Sequence, residues 1–183
     1  MKVTETPIPG VVLIQPQIFG DDRGFFLETY NTEKLAAQNF PHVFVQDNMS
    51  FSRKGVLRGL HYQWPLPQGK LVHCIQGEIW DVALDIREGS PTFGHWHAET
   101  LNDQNRNALY IPEGFAHGFA VLSETALVAY KCTAPYRAEQ DAGIIYNDPL
   151  FNIPWPINDP QLSPKDQGLP TFKEVAPERR PHL

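Results

Sequence analysis

Gln76-Gly77-Glu78-Ile79-Trp80-Asp81-Val82-Ala83-Leu84-Asp85-Ile86 carries the clearest period in the chain. Trp80, Val82, Leu84 and Ile86 alternate with Ile79, Asp81, Ala83 and Asp85, so a strand gathers the bulky apolar set on one face. Gln76-Gly77-Glu78 reads as the tight turn that feeds this strand. The same texture recurs outward from it. Gly10-Val11-Val12-Leu13-Ile14, Ala108-Leu109-Tyr110-Ile111 and Ala126 to Cys132 each read as short strands. Only Asn31 to Phe40 reads as helix in the first half, capped by Asn31 or Thr32. Many short strands punctuated by Gly and Pro predict an all-β sandwich or barrel with a few short helices. Eight of the seventeen prolines fall from Pro149 onward. Proline lacks the ladder donor, so this Pro-rich C-terminal tail is expected to wrap over the barrel in extended pieces. No repeat, linker or low-complexity tract divides the chain, and residues 1–183 are expected to form a single domain.

The apolar and charged fractions, 42% and 20%, are those of an ordinary soluble globular protein. A formal charge of −6 argues against a nucleic-acid partner, which needs a basic surface, but leaves room for a small anionic ligand. Met1-Lys2-Val3-Thr4-Glu5-Thr6-Pro7 lacks the apolar core of a signal peptide, and no apolar run approaches the ~20 residues that cross a bilayer. Cys74 and Cys132 sit in strand-like runs without metal or redox spacing. They read as buried, reduced thiols of a cytoplasmic protein with no membrane association.

Several side chains could carry chemistry. In Leu57-Arg58-Gly59-Leu60-His61-Tyr62-Gln63, a regular strand puts Arg58 and Leu60 on one face and Gly59 and His61 on the other. Lys70 follows nine residues later, after Pro65 and Pro67, so His61 and Lys70 can meet in one barrel mouth. Taken alone they more readily describe a structural histidine and a solvated lysine. In Pro112-Glu113-Gly114-Phe115-Ala116-His117-Gly118-Phe119 the flanking glycines suggest a constrained turn or bulge that aims His117. Tyr130 lies mid-strand, where a tyrosine is usually core with its hydroxyl tied to a backbone group. Arg23-Gly24-Phe25-Phe26-Leu27-Glu28 combines a cation, aromatic platforms and a carboxylate, suited to a nucleotide or to an edge strand with a charged outer face. Gln46-Asp47-Asn48 adds amides and a carboxylate. His95, His97 and Glu99 would share one strand face and form the best metal candidate. That stretch reads as peripheral, however, and His61 is followed by Tyr62-Gln63 rather than a second histidine.

Together these motifs resemble one family, the dTDP-4-dehydrorhamnose 3,5-epimerases of the cupin, or jelly-roll, superfamily. The resemblance runs from near residue 10 to past residue 166. Its motifs come in family order: Asp22-Arg23-Gly24-Phe25-Phe26, Gln46-Asp47-Asn48, Leu57 to Gln63, Gln68-Gly69-Lys70-Leu71-Val72, Gln76-Gly77-Glu78, Ile111 to Phe119, and Tyr130-Lys131-Cys132-Thr133. It implies a cupin jelly-roll epimerase domain with His61 as catalytic base and Asp166 as its orienting carboxylate. Tyr130 would be the acid on the opposite face of the sugar, and Lys70 would stabilise the developing enolate. Arg23, Phe26, Glu28, Gln46, Asp47, Asn48, Arg58, Lys70, His117, Asp141 and Lys165 would bind the nucleotide sugar, Arg23 through diphosphate. The resemblance further implies no cofactor, no metal, and a homodimer with exchanged N-terminal strands whose nucleotide touches both subunits. The sequence departs from the pattern at His73, where arginine is common, and at Asp141, where glutamate is usual.

The chemistry suits these residue types. C3 and C5 of a 4-keto-6-deoxyhexose both flank the ketone, so each can lose a proton to give an enolate. A histidine of reference pKa ~6.5 is available as free base near neutrality, and a tyrosine at ~10 holds its proton until the enolate appears. An ammonium beside the ketone oxygen opposes the charge that builds there. The rival readings are epimerisation at a single carbon or movement of the ketone, a metal-dependent cupin using His95, His97 and Glu99, and a cupin that only binds a sugar nucleotide.

Overall fold

A computed structural model describes residues 1–183. In chain order the strands are β1 (Lys2–Glu5), β2 (Val12–Gln15), β3 (Ile18–Asp21), β4 (Gly24–Leu27), β5 (Gln46–Arg53), β6 (Leu57–Gln63) and β7 (Lys70–Gln76). There follow β8 (Glu78–Asp85), β9 (Trp96–Asn102), β10 (Ala108–Ile111), β11 (Phe115–Val121), β12 (Thr125–Cys132) and β13 (Asp141–Gly143). Two short helices, α1 (Thr32–Ala36) and α2 (Pro164–Gln167), complete the set with three 3₁₀ turns. One antiparallel sheet has the order β1-β2-β10-β7-β12-β5 and the other β13-β6-β11-β8-β9, while β3 and β4 form a separate ribbon. The architecture is a two-sheet sandwich, as the strand texture predicts, of the jelly-roll kind that the resemblance implies. No helix is long and apolar enough to cross a membrane.

The interior between the sheets is filled by Val72 and Cys74 of β7, Ile79 and Ala83 of β8, Phe115 and Phe119 of β11, and Ala126 and Val128 of β12. The bulky set of β8 points the other way. Val82, Leu84 and Ile86 lie under Ile144, Phe151, Ile153 and Phe172, which belong to the C-terminal third of the chain. Strand β8 is therefore buried on both faces, and each fully buried aliphatic side chain contributes about 2 kcal/mol. The tail adds no strand to either sheet and makes only isolated bridges, Gln161 with Val56 and His182 with Glu88. Its packing over the five-stranded sheet carries α2 to the rim of β6, as the site below requires.

Three local expectations change. The helix ends at Ala36 instead of reaching Phe40. Asn31 caps it by accepting the Lys34 N–H, but Phe40 precedes Pro41, which disfavours helical backbone, and Asn39 turns left-handed at φ 61°. Gly77 is a tight corner but not a hairpin, since β7 and β8 belong to different sheets. The third change concerns β6. His61 pairs with His117 and Arg58 with Phe119, so three steps on β6 match two on β11. This bulge puts Arg58 on the same face as His61, opposite to Leu60, whereas strict alternation puts it with Leu60. Glycine is required at 59, because a Cβ there would lie 2.6 Å from Gly118 Cα and from the His117 carbonyl oxygen.

Candidate active site

At one end of the sandwich a cavity of about 280 Å³ opens between the sheets. Strand β6 sends in His61, β7 sends Lys70, β12 sends Tyr130 and β5 sends Gln46 and Asn48. Asp141 of β13 and Lys165 of α2 form an ion pair at its rim, and Tyr62, Gln63, Gln68 and Tyr136 complete the lining. The sequence separates these groups by up to 119 positions, from Gln46 to Lys165, and the two sheets bring them together.

His61 Nε2 lies 2.5 Å from Asp166 Oδ1. Ser163 caps α2 by accepting the Asp166 N–H at 3.0 Å, and Asp166 is 3% exposed. Burial works against ionisation of this carboxyl, but the hydrogen bonds of His61 and Ser163 outweigh it, and Asp166 sits below its ordinary value. A carboxylate only accepts, so His61 Nε2–H donates and Nδ1 is left with a free lone pair. Across the interior, burial pushes the Tyr130 phenol up and keeps it protonated, with the nearby Arg58 charge opposing in part. Burial lowers Lys70 from the ordinary lysine value, against the influence of Cys132, Asp141 and Asp81. Neither the Lys70 ammonium nor the Tyr130 hydroxyl has a hydrogen-bond partner within the chain. Both side chains are half-buried and line the cavity, so their polar tips are open to whatever fills it.

The other expected residues divide. Arg58 does not line the cavity but lies near enough for its charge to act on Tyr130, and its Nε donates to Ser52 Oγ at 2.9 Å. His117 is 6% exposed and lies beneath the cavity floor, where Nε2 meets Asp81 Oδ1 at 2.7 Å. Asp47 points out of the sheet to Lys131, because alternation along β5 separates it from Gln46 and Asn48. Arg23, Phe26 and Glu28 do not come to the cavity of their own chain. Arg23, at 90% side-chain exposure, pairs with Asp21 on the β3–β4 ribbon; Phe26 lies on the same ribbon; and Glu28 pairs with Lys34. The metal candidate also separates. His97 and Glu99 face one another at 3.4 Å, but His95 is exposed and precedes β9, so the third ligand is missing. No cluster of three His, Cys, Asp or Glu side chains is placed to hold a metal.

Sequence reading missed Asp81, fully buried with Oδ2 unpartnered, and the cavity residues Gln63, Gln68 and Tyr136. For Asp81 a signal existed: a charge in the middle of the apolar alternation of β8.

A family model described as dTDP-4-dehydrorhamnose 3,5-epimerase matches residues 5–174. The dTDP-4-dehydrorhamnose 3,5-epimerase of Pseudomonas aeruginosa is 53% identical over 177 residues, covering 96% of this chain and 98% of that protein. The protein of the same name from Neisseria gonorrhoeae is 53% identical over 176 residues, covering 96% of this chain; the chain spans about half, 54%, of that relative's length. The crystal structure of dTDP-6-deoxy-D-glucose-3,5-epimerase from Legionella pneumophila, in complex with dTDP-4-keto-L-rhamnose, matches with a TM-score of 0.96 at 46% identity. The match covers 100% of this chain and 98% of that one.

Proposed function

The chain belongs to the dTDP-4-dehydrorhamnose 3,5-epimerase family, and from that premise we propose that its cavity converts dTDP-4-dehydro-6-deoxy-D-glucose to dTDP-4-dehydro-L-rhamnose. The enzyme is an isomerase of the epimerase class. The observation that carries the mechanism is the pairing of a carboxylate-oriented histidine on one sheet with an unpartnered tyrosine and lysine on the other.

His61 Nδ1 takes the proton from C5 or C3, and the C–H electron pair moves through the carbonyl carbon onto the C4 oxygen. The Lys70 ammonium meets that oxyanion, a contact worth about 3–4 kcal/mol in the transition state. Tyr130 then delivers its proton to the same carbon from the opposite face, which inverts the centre. Solvent takes the proton from His61 and restores the one on Tyr130, so the cycle closes without redox change. Asp166 holds the His61 tautomer throughout. Gln46, Asn48, Arg58, Asp141 and Lys165 hold the substrate around this centre, and His117 supports its floor from below.

The ribbon that carries Arg23 and Phe26 serves a neighbour in this reading. Phe19, Phe25 and Phe26 on the ribbon, with Met49, Phe51 and Ile75 on the outer face of the large sheet, are exposed apolar side chains. A two-fold homodimer buries them and brings Arg23, Phe26 and Glu28 of one subunit to the nucleotide in the other. The unpaired thiols of Cys74 and Cys132 suit the cytoplasm.

The test uses dTDP-4-keto-6-deoxyglucose in deuterated water, with label located by NMR. Label at both C3 and C5, abolished in a folded His61→Asn variant, is the expected outcome. Label at one carbon reduces the reaction to a single epimerisation, and no label, or normal turnover by His61→Asn, removes the proposal.

A further inference from the structure

Because the Lys70 ammonium has no partner of its own, its place in the cavity is set by where its backbone leaves the preceding loop. That loop, from Trp64 to Gly69, contains Pro65 and Pro67 and enters β7 at Lys70. Gly69 is fastened at both ends of its backbone. Its N–H donates to Thr133 Oγ1 at 2.8 Å, and its carbonyl accepts the Thr133 N–H at 3.0 Å. Thr133 directly follows Cys132, the residue opposite Lys70 in the β7–β12 ladder.

A carboxylate directs this fastening. Thr133 Oγ1 lies 2.6 Å from Glu113 Oε1, and Tyr110 Oη lies 3.0 Å from Glu113 Oε2. A carboxylate offers only lone pairs, so both hydroxyls must donate to it. The Thr133 oxygen is then left as a pure acceptor for the Gly69 N–H, and the Tyr110 oxygen as the acceptor for His42 Nδ1 at 3.1 Å. Tyr110 is 1% exposed, and burial together with the Glu113 charge raises its phenol, which keeps it a donor. The fit is close: a Cβ on Gly69 would fall 2.6 Å from Tyr110 Oη and 3.0 Å from Glu113 Cδ. The donors in the chain His42–Tyr110–Glu113–Thr133–Gly69 therefore converge on Glu113 from both sides, and one end of the chain is the Gly69 N–H, one residue before Lys70.

We infer that Glu113 is a positioning residue: it orients the Thr133 hydroxyl that pins the Gly69 peptide, and so sets where the Lys70 ammonium meets the substrate ketone. The inference rests on the reading of Lys70 as the group that stabilises the enolate. Glutamine at 113 offers one acceptor oxygen and one donor nitrogen, so one of the two hydroxyls loses its acceptor.

The experiment places Glu113→Gln, Thr133→Val and Thr133→Ser in the native and the Lys70→Met enzymes. Turnover of dTDP-4-keto-6-deoxyglucose and deuterium uptake at C5 are read per folded molecule. Glu113→Gln and Thr133→Val are expected to lower kcat by about ten- to a hundredfold with KM within about twofold, the loss that a misplacement of about 1 Å causes. Thr133→Ser, which keeps the hydroxyl, stays near the native rate. In the Lys70→Met background Glu113→Gln costs nothing further. The same loss from Glu113→Gln with and without Lys70, a loss confined to KM, or native turnover by Thr133→Val would overturn the inference while leaving Lys70 its role. Native turnover by Lys70→Met alone would overturn that role and the inference with it. If Glu113→Gln does not fold, the Thr133→Val and Thr133→Ser pair in both backgrounds decides the matter alone.

Discussion

Asp85 and Asp81 lie four residues apart on the same face of β8, both without solvent exposure, and their surroundings differ. Asp85 accepts from the Arg87 N–H, Nε and Nη2 and from the hydroxyls of Ser90 and Thr92, all within 3.0 Å. Burial raises its pKa, but these donors together bring it down to about 2. Asp81 has His117 on one oxygen and nothing on the other. Above it the Lys70 ammonium and Tyr130 hydroxyl are also without partners. A polar network that satisfies itself rigidifies the fold, whereas one left open is costly unless something outside the chain completes it. The first arrangement identifies a structural corner and the second a site kept for a ligand.

Lys70→Met should give the largest effect on this contrast. Loss of the ammonium lowers kcat by about 10²–10³, as for removal of one oxyanion donor. The same change should raise the midpoint of thermal unfolding, because it removes a half-buried charge that desolvation disfavours and no hydrogen bond offsets. The pH dependence has a definite sign. The protonated lysine is the active form and burial lowers its pKa, so activity is present below the shifted value. It is lost as pH rises through that value, earlier than for an ordinary lysine at 10.5. Lys70→Met abolishes this alkaline limb. A pH–rate profile and a melting curve of the two proteins check both halves.

Asp85→Asn should act in the opposite sense and more modestly. Breaking the closed network costs about 2–3 kcal/mol, which for a chain of this size lowers the melting midpoint by roughly 2–4 °C per kcal/mol. Turnover per folded molecule stays native. The Asp85 contribution to stability is whole above the ordinary carboxylate value of 3.8 and fades as pH falls toward about 2. Acid unfolding of Asp85→Asn should therefore lack that limb. A loss of kcat in this variant would erase the distinction between the two regions.

How much of this was legible in the sequence depends on the range of the signal. Period two along β8 was plain, but which of its faces meets the other sheet depends on a tail 60 or more residues away, and the bulky set turned out to lie under that tail. His61 and Lys70 were recognisable because a short loop joins their strands, and their family motifs name them. Asp166 came only with the resemblance, since nothing local reveals that α2 docks against β6. Strict alternation puts Arg58 on the wrong face, because a bulge of one residue inverts strand parity and leaves no trace in hydrophobic pattern beyond Gly59. Asp47 could have been separated from Gln46 and Asn48 by parity alone. Arg23, Phe26 and Glu28 stand clear of their own cavity, and no pattern within one chain tells whose site a ribbon serves. The role of Glu113 is not legible locally, because Thr133 meets it only in the fold, twenty residues along the chain.

In the proposed mechanism base and acid work from opposite sheets on one carbon. That arrangement is tested most directly by Tyr130→Phe in deuterated water, comparing deuterium uptake at C5 of recovered substrate with formation of product. His61 is expected to go on removing and returning the C5 proton on its own face, so uptake persists while product formation falls by about 10²-fold or more. Equal losses in uptake and product would contradict it, because Tyr130 would then be needed before the enolate forms rather than after.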